Sequence, residues 1–357
     1  MTKFAVSIFL IVVLTGSLNA NDNFGDSVSA DGADSYIGQI SQKYASFDLN
    51  QFHAVIIRDY SPDFDSDELS LLPYERQIEI LKIEGLLPAL KKYLLTGSAL
   101  EKSNSIDFIQ AMTKTNFFDW NPGTPNAKAQ NLLLATDGIL AGLGGNFIPL
   151  AQLNAENQRA IISLPNIATI LQGTNTIDAM FNLSILCGRH KVDSDYINKL
   201  DLGPKGIPHF NPFVQTTIVD SPALMTLIGN SFSKNLKSDD PIFSAQVVAD
   251  VVFKNKYAQQ KVVQNPKIMN GLVAMTGYPL ADKDYDFLGY AIRRAGITAL
   301  YHLVSNNIPL HTDLLRQYPT LRPTLIRASK NLSSSDPQAT EEQQAMIQAI
   351  LNKKSSR

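Results

Sequence analysis

From about Ile37 onward, apolar residues recur three and four positions apart, and runs that alternate with period two are hard to find. The clearest helical stretches are 73–95, 126–143 and 286–307. This patterning predicts an all-α protein. Residues 163–187 (SLPNIATILQGTNTIDAMFNLSILC) place two short apolar runs on either side of a Gly-Thr-Asn break, with a proline opening the first.

That proline has counterparts. Pro88, Pro165, Pro222, Pro266 and Pro319 are each followed by an aliphatic residue two and six positions later, so the two aliphatics share one helical face. Proline lacks the N–H that would be unpaired in a first helical turn, so each is expected to open a short helix. Ile162, Val219 and Val263, three before the prolines at 165, 222 and 266, place a further apolar segment immediately upstream. Behind four of the prolines a second pattern repeats, in residues 179–183 (AMFNL), 247–251 (VVADV), 299–303 (ALYHL) and 345–349 (AMIQA). These helices are apolar nearly all round. A helix covered on two sides is expected to keep a narrow wet stripe, here Asp178, Asn182 and Arg189, then Gln246, Asp250 and Lys254, then Arg294, Thr298, His302 and Asn306.

The last four prolines are 57, 44 and 53 residues apart, near the roughly 40–47 of helical repeats built from two or three helices. The segments AMFNLS and ALYHL are similar to the third helix of armadillo repeats. The resemblance covers about 160–352, with 39–160 a divergent part of the same domain. It implies a right-handed superhelix, an armadillo-like solenoid, whose third helices line a concave groove that holds a protein or peptide. Carried onto this sequence, the groove positions are Asn182, Asp250, His302 and Gln348, flanked by Arg189, Lys254 and Arg294. Only the first of the four keeps the asparagine of the family pattern. A helical enzyme or small-ligand carrier, with a site between helices, is the alternative.

Composition alters this picture at the ends of the chain. Residues 1–20 carry one Lys, an eleven-residue apolar run from Phe4 to Leu14 and a small residue at Ala20, the layout of a cleavable secretory leader. Eleven residues reach about 16 Å as a helix, half of a bilayer core. A secreted or periplasmic protein with no stable membrane span is expected. Residues 21–38, rich in Asp, Ser and Gly, read as a disordered lead-in. Residues 21–70 hold ten acids against two bases, net −8, which leaves the rest of the chain after the leader at +5. So mild a basic excess does not point to nucleic acid. Cys187 is the only cysteine, so no internal disulfide can form.

Motifs for chemistry are sparse. Residues 63–68 (DFDSDE) space carboxylates as calcium loops do, but Glu68 and Tyr74 stand where such a loop needs Gly and Glu, and a solvated turn is expected. Residues 142–146 (GLGGN) follow a helix and read as its C-terminal stop. Cys187 and His190 lack further ligands for zinc, and His53, His209, His302 and His311 show no metal-ligand spacing. No metal or cofactor is expected. Trp120 lies in an aromatic, proline-containing loop at 116–126, expected to fold back onto the body. Asn182 and Asn331 sit in glycosylation sequons.

Overall fold

The computed structural model describes residues 30–57, 66–115, 125–188, 210–232, 240–279, 287–305, 307–330 and 337–352. Among these there are helices and no strand. The first are α1 (Ala30–Lys43), α2 (Leu49–Ile57) and α3 (Ser66–Leu71), then α4 (Tyr74–Leu81), α5 (Leu86–Thr96) and α6 (Ala99–Thr113). Next come α7 (Ala127–Ala135), α8 (Ile139–Gly142), α9 (Ile148–Ala151), α10 (Ala155–Ile162), α11 (Ile167–Gln172) and α12 (Thr176–Leu186). The remainder are α13 (Pro212–Asp220), α14 (Pro222–Ser231), α15 (Asp240–Val252), α16 (Lys256–Val263), α17 (Pro266–Thr276), α18 (Phe287–Val304), α19 (Ile308–Gln317), α20 (Leu321–Lys330) and α21 (Pro337–Leu351).

Helices three apart in the chain pack on one another. α3, α6, α9, α12, α15, α18 and α21 touch in that order, as do α4, α7, α10, α13, α16 and α19. A third row runs through α2, α5 and α8 and again through α11, α14, α17 and α20. The described helices thus fall into successive sets of three, and a helix inside a row is pressed between the members before and after it. Most are too short to persist alone, since isolated helices under about 12–15 residues are marginal in water. Their stability comes from burial. Leu133, Ile161, Ile218 and Val262 occupy the inner face of successive first helices at 0–1% exposure, each contributing ~1.5–3 kcal/mol.

Local sequence sets the helix starts. Pro222 and Pro266 occupy the first helical positions of α14 and α17, while Pro165 and Pro319 lie just ahead of α11 and α20. Asn126, Asn154, Asn255 and Asn307 cap α7, α10, α16 and α19, each side chain accepting a backbone N–H from three residues on. Ser98 and Glu101 form a reciprocal capping box on α6. Gly271 lets α17 pass close to Phe232, because a Cβ there would lie 2.5 Å from that side chain.

The N-terminal boundary differs from expectation. Helix α1 begins at Ala30, inside the segment expected to be disordered; residues 1–29, leader included, lie outside the described residues. Ile40 and Tyr44, four apart, are buried at 2% and 0% and anchor the last turns of α1. The Tyr44 hydroxyl donates to Glu68 at 2.9 Å, and Arg76 donates to the Tyr44 and Ala45 carbonyls. Once that end is fixed, each further turn costs little.

Candidate functional site

The residues expected to line a groove do lie on one packed row: Asn182 on α12, Asp250 on α15, His302 on α18 and Gln348 on α21. They do not share a wet face. Asn182 is 3% exposed; its Oδ1 accepts the Phe147 N–H at 2.7 Å and its Nδ2 donates to the Asp178 carbonyl at 2.7 Å. Asp250 is fully buried and accepts from Gln246 Nε2 at 3.2 Å. His302, at 7%, presents its ring edge-on to Phe253, 5.5 Å between centroids. The water-facing ladder drawn through these three is therefore corrected. Neighbouring third helices enclose the positions, and a buried peptide N–H such as that of Phe147 needs an acceptor, whose loss costs ~1–3 kcal/mol.

The fourth groove position, Gln348, is exposed and accepts from Asn352 at 2.8 Å. Lys254 is exposed with its ammonium 5.2 Å from the Phe253 ring. Arg294 is half-buried, its Nη2 3.6 Å from Glu342. Arg189 lies outside the described residues.

A second set of polar residues, which sequence reading missed, is more regular. Gln77, Gln130, Gln158, Gln215 and Gln259 lie on successive first helices, α4, α7, α10, α13 and α16, at 0–2% exposure. Each donates its amide Nε2 to carbonyls in the last turn of a third helix or just beyond it, where backbone donors run short. Gln158 reaches Ala151 and Ile185, Gln215 reaches Asp250 and Phe253, and Gln259 reaches His302 and Ser305, all within 2.7–3.3 Å. Gln77 bonds Leu69 and Ala111, and Gln130 bonds Gln152.

The other end of each amide links forward. Asn126, Asn154, Asn211, Asn255 and Asn307 donate Nδ2 to Oε1 of Gln77, Gln130, Gln158, Gln215 and Gln259, at 2.9–3.3 Å. A continuous amide ladder thus ties six consecutive first helices together in register. Its signature is Asn followed by Gln four residues later, at 126/130, 154/158, 211/215 and 255/259. That spacing was the available signal. In the last unit His311 stands at the glutamine position, 7% exposed, with no hydrogen-bond partner on either ring nitrogen among the described residues.

Other candidate chemistry is accounted for locally. Glu68 pairs with Lys43 at 2.6 Å; burial pushes its carboxyl up, but the hydrogen bonds from Lys43 and Tyr44 outweigh this and hold it below the ordinary value. Residues 63–65 lie outside the described residues. Gly144 and Gly145 adopt φ of 59° and 98° after α8, the left-handed turn of a helix stop. Cys187 is a buried thiol in no disulfide, while His190, His209, Trp120 and Asn331 lie outside the described residues. His53 Nδ1 lies 2.8 Å from the Tyr93 hydroxyl in an aromatic cluster with Phe52 and Phe108. Among the described residues no group of three potential ligands could hold a metal, and no helix is long and apolar enough to cross a membrane.

No family model and no curated protein matches the chain. Among solved structures, the crystal structure of an engineered protein aligns over 89% of this chain and 98% of its own at 13% identity, with a TM-score of 0.41. A likeness this distant assigns neither a repeat family nor an activity.

Proposed function

We propose that the chain is an exported, armadillo-like helical-repeat module that binds another protein or an extended peptide. The observation that carries this reading is the packing of helices on those three further along the chain in three rows, with the amide ladder holding the first helices in register. A stack so built repeats the same surface position at intervals of one helix spacing, about 8–10 Å. An extended partner can engage such a surface unit by unit. The buried polar residues are consumed in building the stack, so contacts to a partner fall to side chains on its exterior. The short apolar leader supports export.

Photo-activatable cross-linking tests the proposal. The chain without residues 1–20, carrying a cross-linker at Lys128, Arg159 or Gln260, all exposed, is exposed to the material of its own compartment. A discrete protein adduct formed from adjacent first helices supports the reading. Turnover or tight binding of a small molecule, with no protein adduct, would overturn it in favour of an enzyme or ligand carrier.

A further inference from the structure

The exterior of α10, α13 and α16 repeats one feature. Phe213 and Tyr257 each stand two residues after a ladder asparagine, and they are 45% and 43% exposed. The bonds from Asn211 to Gln158 and from Asn255 to Gln215 fix these helices in register, so the two rings lie one helix spacing apart, about 8–10 Å. Cations accompany both rings. The Arg159 guanidinium lies 5.6 Å from the Phe213 centroid, and the Lys261 ammonium lies 5.3 Å from that of Tyr257. Tyr257 donates its hydroxyl to Asp220, which also sits 3.5 Å from Lys261. Arg159 and Lys256 are exposed and make no ion pair among the described residues.

We propose that this strip is the docking surface for an extended acidic peptide segment with apolar side chains three residues apart. This rests on the reading of the chain as a binding module and names its surface and the chemistry of its partner. A chain in the polyproline II conformation turns once every three residues and rises about 3.1 Å per residue, so side chains three apart share one face about 9 Å apart and fall on Phe213 and Tyr257. The carboxylates beside them meet Arg159 on the α10 side of Phe213 and Lys256 next to Tyr257 on α16. A guanidinium already held over an aromatic ring keeps its outer N–H groups for bidentate contact with a carboxylate. Arg159, Lys256 and Lys261, against Asp220 and the exposed Glu156 in the first turn of α10, suit a peptide with a few carboxylates better than the dense charge of a nucleic acid backbone, about one per 1.7 Å of duplex.

The test uses a fluorescein-labelled peptide of repeated Leu-Asp-Asp triplets, with a Leu-Lys-Lys peptide and a single-stranded oligodeoxynucleotide as comparators, followed by fluorescence anisotropy. The acidic peptide is expected to bind, more weakly as salt is raised. Affinity should fall tenfold or more for Phe213→Ala with Tyr257→Ala and for Arg159→Glu with Lys256→Glu, with helical content unchanged. The charge-reversed variant should instead favour the lysine peptide, a switch that a general loss of structure does not produce. The strip is refuted if the acidic peptide fails to bind, if both variants bind it within twofold of the parent, or if the oligonucleotide binds as tightly. If cross-linked capture of a protein persists in both variants, the strip is wrong while the binding reading stands.

Discussion

Replacing Gln215 by leucine isolates the ladder in a single side chain. Gln215 is 1% exposed, and its amide donates to the Asp250 carbonyl at 2.7 Å and the Phe253 carbonyl at 3.1 Å while accepting from Asn255 at 3.3 Å. Leucine fills similar volume but leaves the two buried carbonyls without this donor. At ~1–3 kcal/mol for each orphaned group the loss is about 2–6 kcal/mol, and the added apolar burial returns about 1–2 kcal/mol. A net destabilisation of about 3 kcal/mol is expected, a large part of the 5–15 kcal/mol typical of a whole domain. Gln260→Leu, on the exposed face of the neighbouring first helix, is the control and should change stability by under ~0.5 kcal/mol. Urea unfolding followed by circular dichroism at 222 nm measures both, and amide exchange should show the loss concentrated in α13, α15 and α16. If Gln215→Leu falls within about 0.5 kcal/mol of its control, the ladder does not hold the units together.

Gly271→Ala should destabilise by ~1–3 kcal/mol in the same unfolding experiment, because the new Cβ meets the root of the Phe232 side chain at 2.5 Å and not a flexible tip. Glu68, held below its ordinary value of 4.5, contributes stability that is present above that pH and lost as pH falls through the lower folded value. Glu68→Gln should therefore lower Tm slightly at pH 7, in keeping with ~0.2–1 kcal/mol for an exposed pair, and the difference should vanish well below pH 4.5. Cys187, fully buried, should resist a thiol reagent such as DTNB in the native protein and react at once in 6 M guanidinium.

Helices were legible in the sequence because their signals are local: the prolines at 222 and 266 open α14 and α17, and the repeated apolar segments coincide with α12, α15, α18 and α21. Polar residues were harder. Asn182, Asp250 and His302 look solvated on a helical wheel because a wheel carries no information about the next unit. The acceptor that Asn182 supplies to Phe147 is required by a residue 35 positions earlier. Gln158 and Gln215 hid for the same reason, since a glutamine four residues after a capping asparagine resembles the outer face of a short helix. Only the repetition of that pair across four units marks it as buried architecture. The start of α1 at Ala30 was masked by its Asp and Gly content, while the side chains that fix the helix, Ile40 and Tyr44, come at its far end.

Amide hydrogen exchange on the chain with the acidic Leu-Asp-Asp peptide bound tests the account most directly. A partner that engages the stack unit by unit should slow exchange together in α10, α13 and α16, at the same position in each helix, and leave the buried third helices unchanged. Protection confined to one cleft between helices, or centred on α12, α15 and α18 with none in the first helices, would contradict it.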